Sequence, residues 1–143
     1  MNSLKKAKSI QFLSFAECID EYRPDIVAFD ANEPDKDYYT VDGMKFFDNL
    51  NKGKGARTFF DTLNQAGLND AFSIDYETSN YVEGEPLAVS HKLSRGNKAK
   101  RYDFVFVNNK IKVDEIDYKY DVATMAGSDH ALIEMSVKIE RGL

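Results

Sequence analysis

The segment RYDFVFV, residues 101–107, has the clearest strand pattern in the chain. Three aromatic side chains alternate with a carboxylate and two valines, so both faces of such a strand are largely apolar. This pattern is typical of a central strand that is covered on both sides. The segment therefore predicts a sheet with this strand in its middle.

Helices are predicted where apolar residues recur on one face at helical spacing. In the first helix, residues 4–22, that face consists of Phe12, Phe15, Ala16 and Ile19. A second helix at residues 56–66 ends at Gly67, which stands where a C-cap glycine belongs. A shorter helix is predicted at residues 44–50.

Further strands are predicted on both sides of the central segment. The wholly apolar run at residues 26–29 indicates a buried strand. Residues 111–118 are predicted to form a hairpin with the 101–107 strand, and residues 131–139 alternate as a strand with one buried face. Residues 77–101 are predicted to be a long loop or hairpin.

The order of these elements predicts an α/β chain that forms one domain over residues 1–143, with one mixed sheet and helices on one face. The opposite face of that sheet, with Val27, Val105 and Val107, is expected to be apolar and to need a second sheet against it. An apolar face left in water marks an interaction surface, so association through this face is expected.

Composition limits the classes of function. With 43% apolar and 30% charged residues the chain is typical of globular proteins, and its single cysteine, Cys18, excludes an internal disulfide. No apolar run approaches the roughly 20 residues of a membrane span, and residues 1–22 do not resemble a signal peptide, so a cytoplasmic location is expected. The net charge of −5 argues against a nonspecific nucleic-acid coat protein but does not exclude an enzyme.

Polar residues cluster at the ends of the predicted strands, where scaffolds often present functional groups. They are Asp30, Asn32, Arg101, Asp103, Ser128, Asp129 and His130. A carboxylate at Asp103, on a face shared with valines, is costly to bury unless it is paired. A histidine is its natural partner, and the chain has two, His91 and His130.

At these positions the sequence resembles the endonuclease/exonuclease/phosphatase superfamily, including its exonuclease III-like nucleases. Members carry, in order, a strand ending in a Gly-Asp-Phe-Asn-like motif, an Arg-x-Asp-Tyr-hydrophobic strand and a terminal Ser-Asp-His. The corresponding segments here are Phe29-Asp30-Ala31-Asn32, Arg101-Tyr102-Asp103-Phe104 and Gly127-Ser128-Asp129-His130. The resemblance spans nearly the whole chain and implies a metal-dependent phosphodiesterase.

The resemblance also implies catalytic roles. His130 would accept a proton from, or stabilise, the scissile phosphate region, and Asp103 would hold it in the right tautomer. Asp30 would orient or deprotonate the attacking water, and Asn32 would hold a nonbridging oxygen.

Metal and substrate contacts follow from the same resemblance. Asp129 and Asp30 would bind a divalent cation, Mg²⁺ or Mn²⁺, through hard oxygen ligands. Arg101, together with Asn32, would contact the substrate. The family's N-terminal asparagine and metal-binding glutamate have no counterpart here.

The resemblance therefore implies the C-terminal half of the family's domain, that is, half of a four-layer α/β/β/α sandwich. The expected partner is the absent N-terminal half or a second copy of the chain, and the isolated chain is expected to lack significant hydrolase activity.

Three points stay open at the level of sequence. The substrate is nucleic acid or another phosphodiester, with a phosphatase, a phospholipid phosphodiesterase or a catalytically inert binding module as alternatives. A basic run, Lys92, Arg95, Lys98, Lys100 and Arg101, either tracks a phosphate backbone or is a solvated hairpin tip. His91 is expected to be a solvated loop histidine, with contact to substrate as the alternative.

Overall fold

The computed structural model of the protein describes residues 3–47, 52–74 and 76–139. Its helices are α1 (Ser3–Tyr22), α2 (Lys52–Gln65), α3 (Ala71–Ile74) and α4 (Tyr120–Met125). Its strands are β1 (Ile26–Asp30), β2 (Asn69–Asp70), β3 (His91–Lys92), β4 (Ala99–Lys100), β5 (Asp103–Val107), β6 (Ile111–Lys119) and β7 (Leu132–Ile139). The chain is thus a mixed α/β protein, as predicted.

Helices α1 and α2 pack on each other and cover one face of the central sheet. The ring centre of Phe12 in α1 lies 5.5 Å from that of Phe59 in α2. Phe59 in turn lies 4.9 Å from Phe29 of β1, edge to face. The predicted buried face of α1 is correct except at Phe15, whose side chain is 48% exposed.

Strand β5 lies in the middle of a three-stranded antiparallel sheet, between β1 and β2, and this confirms the predicted central strand. Its register with β1 places Phe29 opposite Phe104. Phe104 and Phe106 are fully buried in the apolar cluster that contains α1 and α2. These aromatic residues tie the strand to the helices.

The opposite face of β5 is covered by a hairpin of β6 and β7. Val105 and Val107 form an apolar cluster with Ile111 and Val113 of β6, and Met135 of β7 packs against it. β1 and β2 already pair with the two edges of β5, so β6 packs on its apolar face, and burying that face stabilises the structure. The prediction that residues 111–118 pair with β5 is wrong, since β6 pairs with β7 along its length.

The prediction of one mixed sheet is also wrong. The described strands form three antiparallel sheets, β1-β5-β2, β3-β4 and β6-β7. Val105 and Val107 are only 7% and 1% exposed, and Val27 packs on the helix side. The physical ground for expecting association through these valines is therefore removed.

The predicted short helix at residues 44–50 and the predicted loop or hairpin at residues 77–101 had different outcomes. Within the predicted helix at residues 44–50, residues 44–47 are not helical and Lys45 bridges Lys36 instead, while residues 48–50 lie outside the described residues. The 77–101 segment contains the short hairpin β3–β4, as predicted. Among the described helices, none combines the length and the apolar character needed to cross a membrane.

Candidate active site

Two carboxylates meet at one end of the central sheet. Asp30 is the last residue of β1 and lies opposite Asp103, the first residue of β5, in the antiparallel register. One potential ligand atom each from Asp30, Asp103 and His130 lies within 4.8 Å of the other two. The pleat and the strand ends thus bring together three side chains that are far apart in the sequence.

A tight turn after β1 holds Asn32 against Asp30. The backbone N–H of Asn32 donates to Oδ1 of Asp30 at 2.8 Å, and Nδ2 of Asn32 donates to Oδ2 at 3.0 Å. Asn32 has a φ of +49°, in the left-handed region that asparagine tolerates better than most residues. Its amide has a second N–H, which is available to a ligand because Asn32 is exposed.

His130 reaches Asp103 from the segment just before β7. Its Nδ1 lies 2.8 Å from Oδ2 of Asp103, so the hydrogen bond expected from the sequence is present. The hydroxyl of Ser128 accepts from the backbone N–H of His130 and donates to its carbonyl oxygen. Gly127 begins this turn with a φ of +90°, a conformation that favours glycine.

The charges around His130 favour its protonated form. Burial alone would lower the pKa of His130, whereas the hydrogen bond and charge of Asp103 raise it. The negative charges of Asp30 and Asp129 act in the same direction, and the net result is a raised pKa. The ring therefore carries a larger protonated fraction near neutral pH than an ordinary histidine.

Ser90 is a support for the site that the sequence did not reveal. Its hydroxyl is fully buried and accepts from the backbone N–H of Tyr102 at 2.7 Å and of Asp103 at 3.1 Å. Its carbonyl accepts from the backbone N–H of Ala131 at 2.7 Å. Ser90 thus links the start of β5 to the segment that carries His130. A lone serine before a histidine gives no signal of this in the sequence.

The expectation that His91 is a solvated loop residue is wrong. His91 begins β3, forms a bridge with His130, and is only partly exposed. The two imidazole ring centres lie 4.7 Å apart, with 30° between the planes. Nδ1 of His91 lies 2.9 Å from the carbonyl oxygen of Asp129. One signal for this position was present in the sequence: the chain has only two histidines, and Asp103 needs a histidine as its partner.

The substrate-binding role predicted for Arg101 does not fit its position. The side chain is 0% exposed and donates to Asp37 at 2.8 and 3.1 Å and to Asp70 at 2.6 Å. Burial opposes the charged guanidinium, but Asp70 and Asp37 raise the pKa of Arg101 well above its ordinary value. Arg101 instead joins β5, β2 and the loop after β1, because a buried cation needs paired carboxylates.

The basic run divides into two parts. Lys100 is 5% exposed, and its Nζ contacts Asp35, so it and Arg101 are neutralised inside the fold. Lys92 is partly buried, with its Nζ 4.8 Å from the ring centre of Tyr120. Arg95 and Lys98 are exposed at the tip of the β3–β4 hairpin. The cations that face solvent are therefore fewer than the sequence suggested, and they lie on the hairpin that His91 begins.

The two predicted metal ligands belong to different groups of side chains, which share His130. Asp30 belongs to the group with Asp103, whereas exposed Asp129 belongs to a second group with His91 and His130. Each group brings one potential ligand atom per residue within 4.8 Å of the others. The structure thus places both carboxylates next to His130 without joining them in one group.

A cleft of about 540 Å³ opens beside Asn32. Its lining consists of Lys8, Gln11, Phe12, Phe15, Ala31 and Asn32. Nζ of Lys8 donates to the carbonyl oxygen of Asn32 at 2.9 Å. The cleft joins an exposed aromatic ring and a cation to the turn that carries Asp30.

Comparison with known proteins identified no relative of this chain: no family model, no curated protein and no solved structure matches it.

Proposed function

We propose that the protein is a metal-dependent phosphodiester hydrolase of the exonuclease III-like type that acts on nucleic acid. The observation that carries the proposal is the hydrogen bond between His130 and Asp103 with the carboxylate of Asp30 beside it. An imidazole oriented by one carboxylate and adjoined by a second can provide both an acid and a base to one reaction.

His130 supplies the charge for the phosphate. Its raised pKa favours the imidazolium, whose Nε2–H is directed away from the Asp103 bond and can donate to a phosphate oxygen. Donors placed where negative charge develops stabilise the transition state. Asp103 is a positioning residue, because it acts through the ring of His130.

Asp30 and Asn32 serve the attacking water and the phosphate. The exposed carboxylate of Asp30 orients the water and accepts its proton, while the free N–H of Asn32 donates to a nonbridging oxygen. The two hydrogen bonds from Asn32 hold the carboxylate in one orientation. Such preorganisation lowers the cost of reaching the reactive geometry.

Asp129 and Asp30 are the proposed ligands of Mg²⁺ or Mn²⁺. The negative charges of both carboxylates raise the pKa of His130. Mg²⁺ commonly retains several waters and uses only one or two carboxylates together with substrate phosphate, so this sparse donor set fits it. When bound, the cation would neutralise charge on the phosphate oxygens.

Nucleic acid is favoured as the substrate by the surroundings of the site. Arg95 and Lys98 lie on the hairpin that begins at His91, which contacts His130. A cleft with Lys8 and Phe15 adjoins Asn32. Cations that follow the phosphate backbone and an aromatic ring that stacks on a base are the usual elements of such binding.

The layer order agrees with a sandwich fold. Helices α1 and α2 lie on the β1-β5-β2 sheet, and the β6–β7 hairpin lies on its other face. Completion of this stack by a further helical layer would give the four-layer α/β/β/α architecture of the endonuclease/exonuclease/phosphatase superfamily. That architecture and membership in the superfamily are part of the proposal.

The experiment measures Mg²⁺-dependent hydrolysis of plasmid DNA and bis(4-nitrophenyl) phosphate. It uses the 143-residue chain and the longest protein that its reading frame encodes. Activity that requires Mg²⁺ or Mn²⁺ and is lost in His130→Ala supports the proposal. No hydrolysis by either protein contradicts it.

A substrate panel separates the open alternatives. Preference for 4-nitrophenyl phosphate would identify a phosphatase, and preference for phosphatidylcholine vesicles a phospholipid phosphodiesterase. Tight DNA binding without any hydrolysis would identify a binding module.

A further inference from the structure

His91, Asp129 and His130 form a cluster that the proposed hydrolysis does not fully use. One potential ligand atom of each lies within 4.8 Å of the other two. The cluster brings together β3 and the turn before β7, which are joined by the bridge between His91 and His130. His91 and Asp129, which are in contact, lie 38 positions apart in the sequence.

The hydrogen bonds of the two imidazoles determine their tautomers. A backbone carbonyl only accepts, so Nδ1 of His91 must carry the hydrogen that it donates to Asp129. Nδ1 of His130 likewise donates to the carboxylate of Asp103. In the neutral form each ring therefore has its lone pair on Nε2.

This pattern is the one that metal-binding histidines need. Such residues almost always donate their other ring N–H to a carboxylate or a backbone carbonyl, which orients the ring and raises its basicity. Here Nδ1 of His130 has a carboxylate acceptor at 2.8 Å, and Nδ1 of His91 has a backbone carbonyl acceptor at 2.9 Å. The two rings are therefore already oriented before any metal binds.

The donor set selects the kind of metal. Two imidazole nitrogens and one carboxylate oxygen are the ligands of zinc sites with an open fourth position, whereas Mg²⁺ prefers oxygen ligands alone. The carboxylates of Asp30 and Asp103 add negative charge next to His130, which favours a bound cation. Buried Ser90 ties the backbone of both histidine segments together.

We propose that His91, His130 and Asp129 bind one Zn²⁺ ion, or a similar divalent transition metal, through the two Nε2 atoms and the Asp129 carboxylate. This site is different in chemistry from the proposed Mg²⁺ role of Asp30 and Asp129. An ion on Nε2 of His130 would block the atom that the proposed hydrolysis uses, so zinc would inhibit that reaction.

Isothermal titration of Zn²⁺ alone into the full 143-residue chain, without a histidine tag, tests the site. We expect one ion per chain. Excess Mg²⁺ shares Asp129 but should weaken Zn²⁺ binding only slightly, because the two imidazole nitrogens prefer Zn²⁺. His91→Gln should weaken binding roughly 10–100-fold or more, and Asp129→Asn should also weaken it. Asp121→Asn is the matched carboxylate control, and Cys18→Ser removes the exposed thiol that offers an alternative ligand. Both should bind as the parent chain does.

Imidazole nitrogen NMR of the unmodified chain gives a second measurement that needs no variant. Zn²⁺ should shift Nε2 of both histidines and leave both Nδ1 atoms protonated. Zinc binding that survives His91→Gln, that disappears in Cys18→Ser, or that shifts neither Nε2 overturns the proposal. Since these readouts measure binding, failure of the proposed hydrolase activity would leave them unaffected.

Discussion

Asp30 lies directly opposite Asp103 at the end of the β1–β5 ladder, and both carboxylates act on the imidazole of His130. Like charges in facing positions of a sheet are destabilising. The pair is tolerated because Asp103 gains a hydrogen bond to His130 and Asp30 gains two from Asn32. A costly pair at a strand end, stabilised by local partners, is typical of a functional site.

The first prediction concerns the pKa of His130. The chain has two histidines, so NMR can follow each ring separately. We expect His130 to titrate above its ordinary value of 6.5. Asp103→Asn should lower this pKa by removing a charge and replacing a charge-assisted hydrogen bond with a neutral one. Asp30→Asn should lower it less, because Asp30 acts on the ring through its charge alone. Asp121→Asn is the control, and an unchanged midpoint in Asp103→Asn would disprove the coupling.

The second prediction follows from the sign of that shift. A group whose pKa is higher in the folded than in the unfolded protein stabilises the fold fully below its unfolded pKa. That stabilisation is lost as the pH rises through the folded pKa. The difference in free energy of unfolding between the parent chain and His130→Gln should therefore shrink as the pH rises from acidic to alkaline. Urea unfolding over a pH series checks this, and a difference that grows with pH would contradict it.

The third prediction tests the structural role of Arg101. Arg101→Met leaves Asp37 and Asp70 buried without their cation, and removing one partner of a buried pair costs about 3–5 kcal/mol. Arg57→Met is the matched control, because Arg57 also contacts two carboxylates but is 41% exposed. Its loss should cost about 0–1 kcal/mol. Equal losses in urea unfolding would show that burial does not decide the difference.

The fourth prediction distinguishes the two histidines in catalysis. In the active protein, His130→Ala should lower kcat for bis(4-nitrophenyl) phosphate by roughly 10²–10⁴-fold, since it removes a catalytic group. His91→Ala should cost far less, because of the two histidines only His130 contacts the phosphate in the proposed mechanism. Similar losses in the two variants would contradict the assignment of the catalytic role to His130 alone.

The fifth prediction concerns the hairpin cations. If Arg95 and Lys98 contact phosphates, their joint replacement by alanine should flatten the plot of log affinity for duplex DNA against log salt. The expected change is about 0.9 in slope for each contact. Lys110 and Lys112 are the control pair, because they lie at the far end of the β6–β7 hairpin from His130. Fluorescence anisotropy measures both slopes, and equal changes would contradict the prediction.

The sequence by itself determined the elements whose evidence is local. The alternation at residues 101–107 predicted a central strand, and helical spacing predicted α1 and α2. It also indicated that Asp103 needs a histidine as its partner, because a carboxylate on an apolar strand face needs a counter-group. The choice of His130 over His91 came from the resemblance to the endonuclease/exonuclease/phosphatase superfamily. These inferences hold because side-chain periodicity is set by neighbouring residues and because any buried carboxylate needs a partner.

Only the tertiary structure decided which chain segments meet. The pairing of β6 with β7 depends on how the chain crosses the sheet, and the burial of Arg101 depends on a carboxylate 64 positions away. The same holds for His91, whose place beside His130 requires the β3–β4 hairpin to fold against the end of β7. The sequence offers more than one strand that could cover the second face of β5 and more than one carboxylate that could pair with Arg101. The fold selects the partners that satisfy the apolar face and the buried cation at the same time.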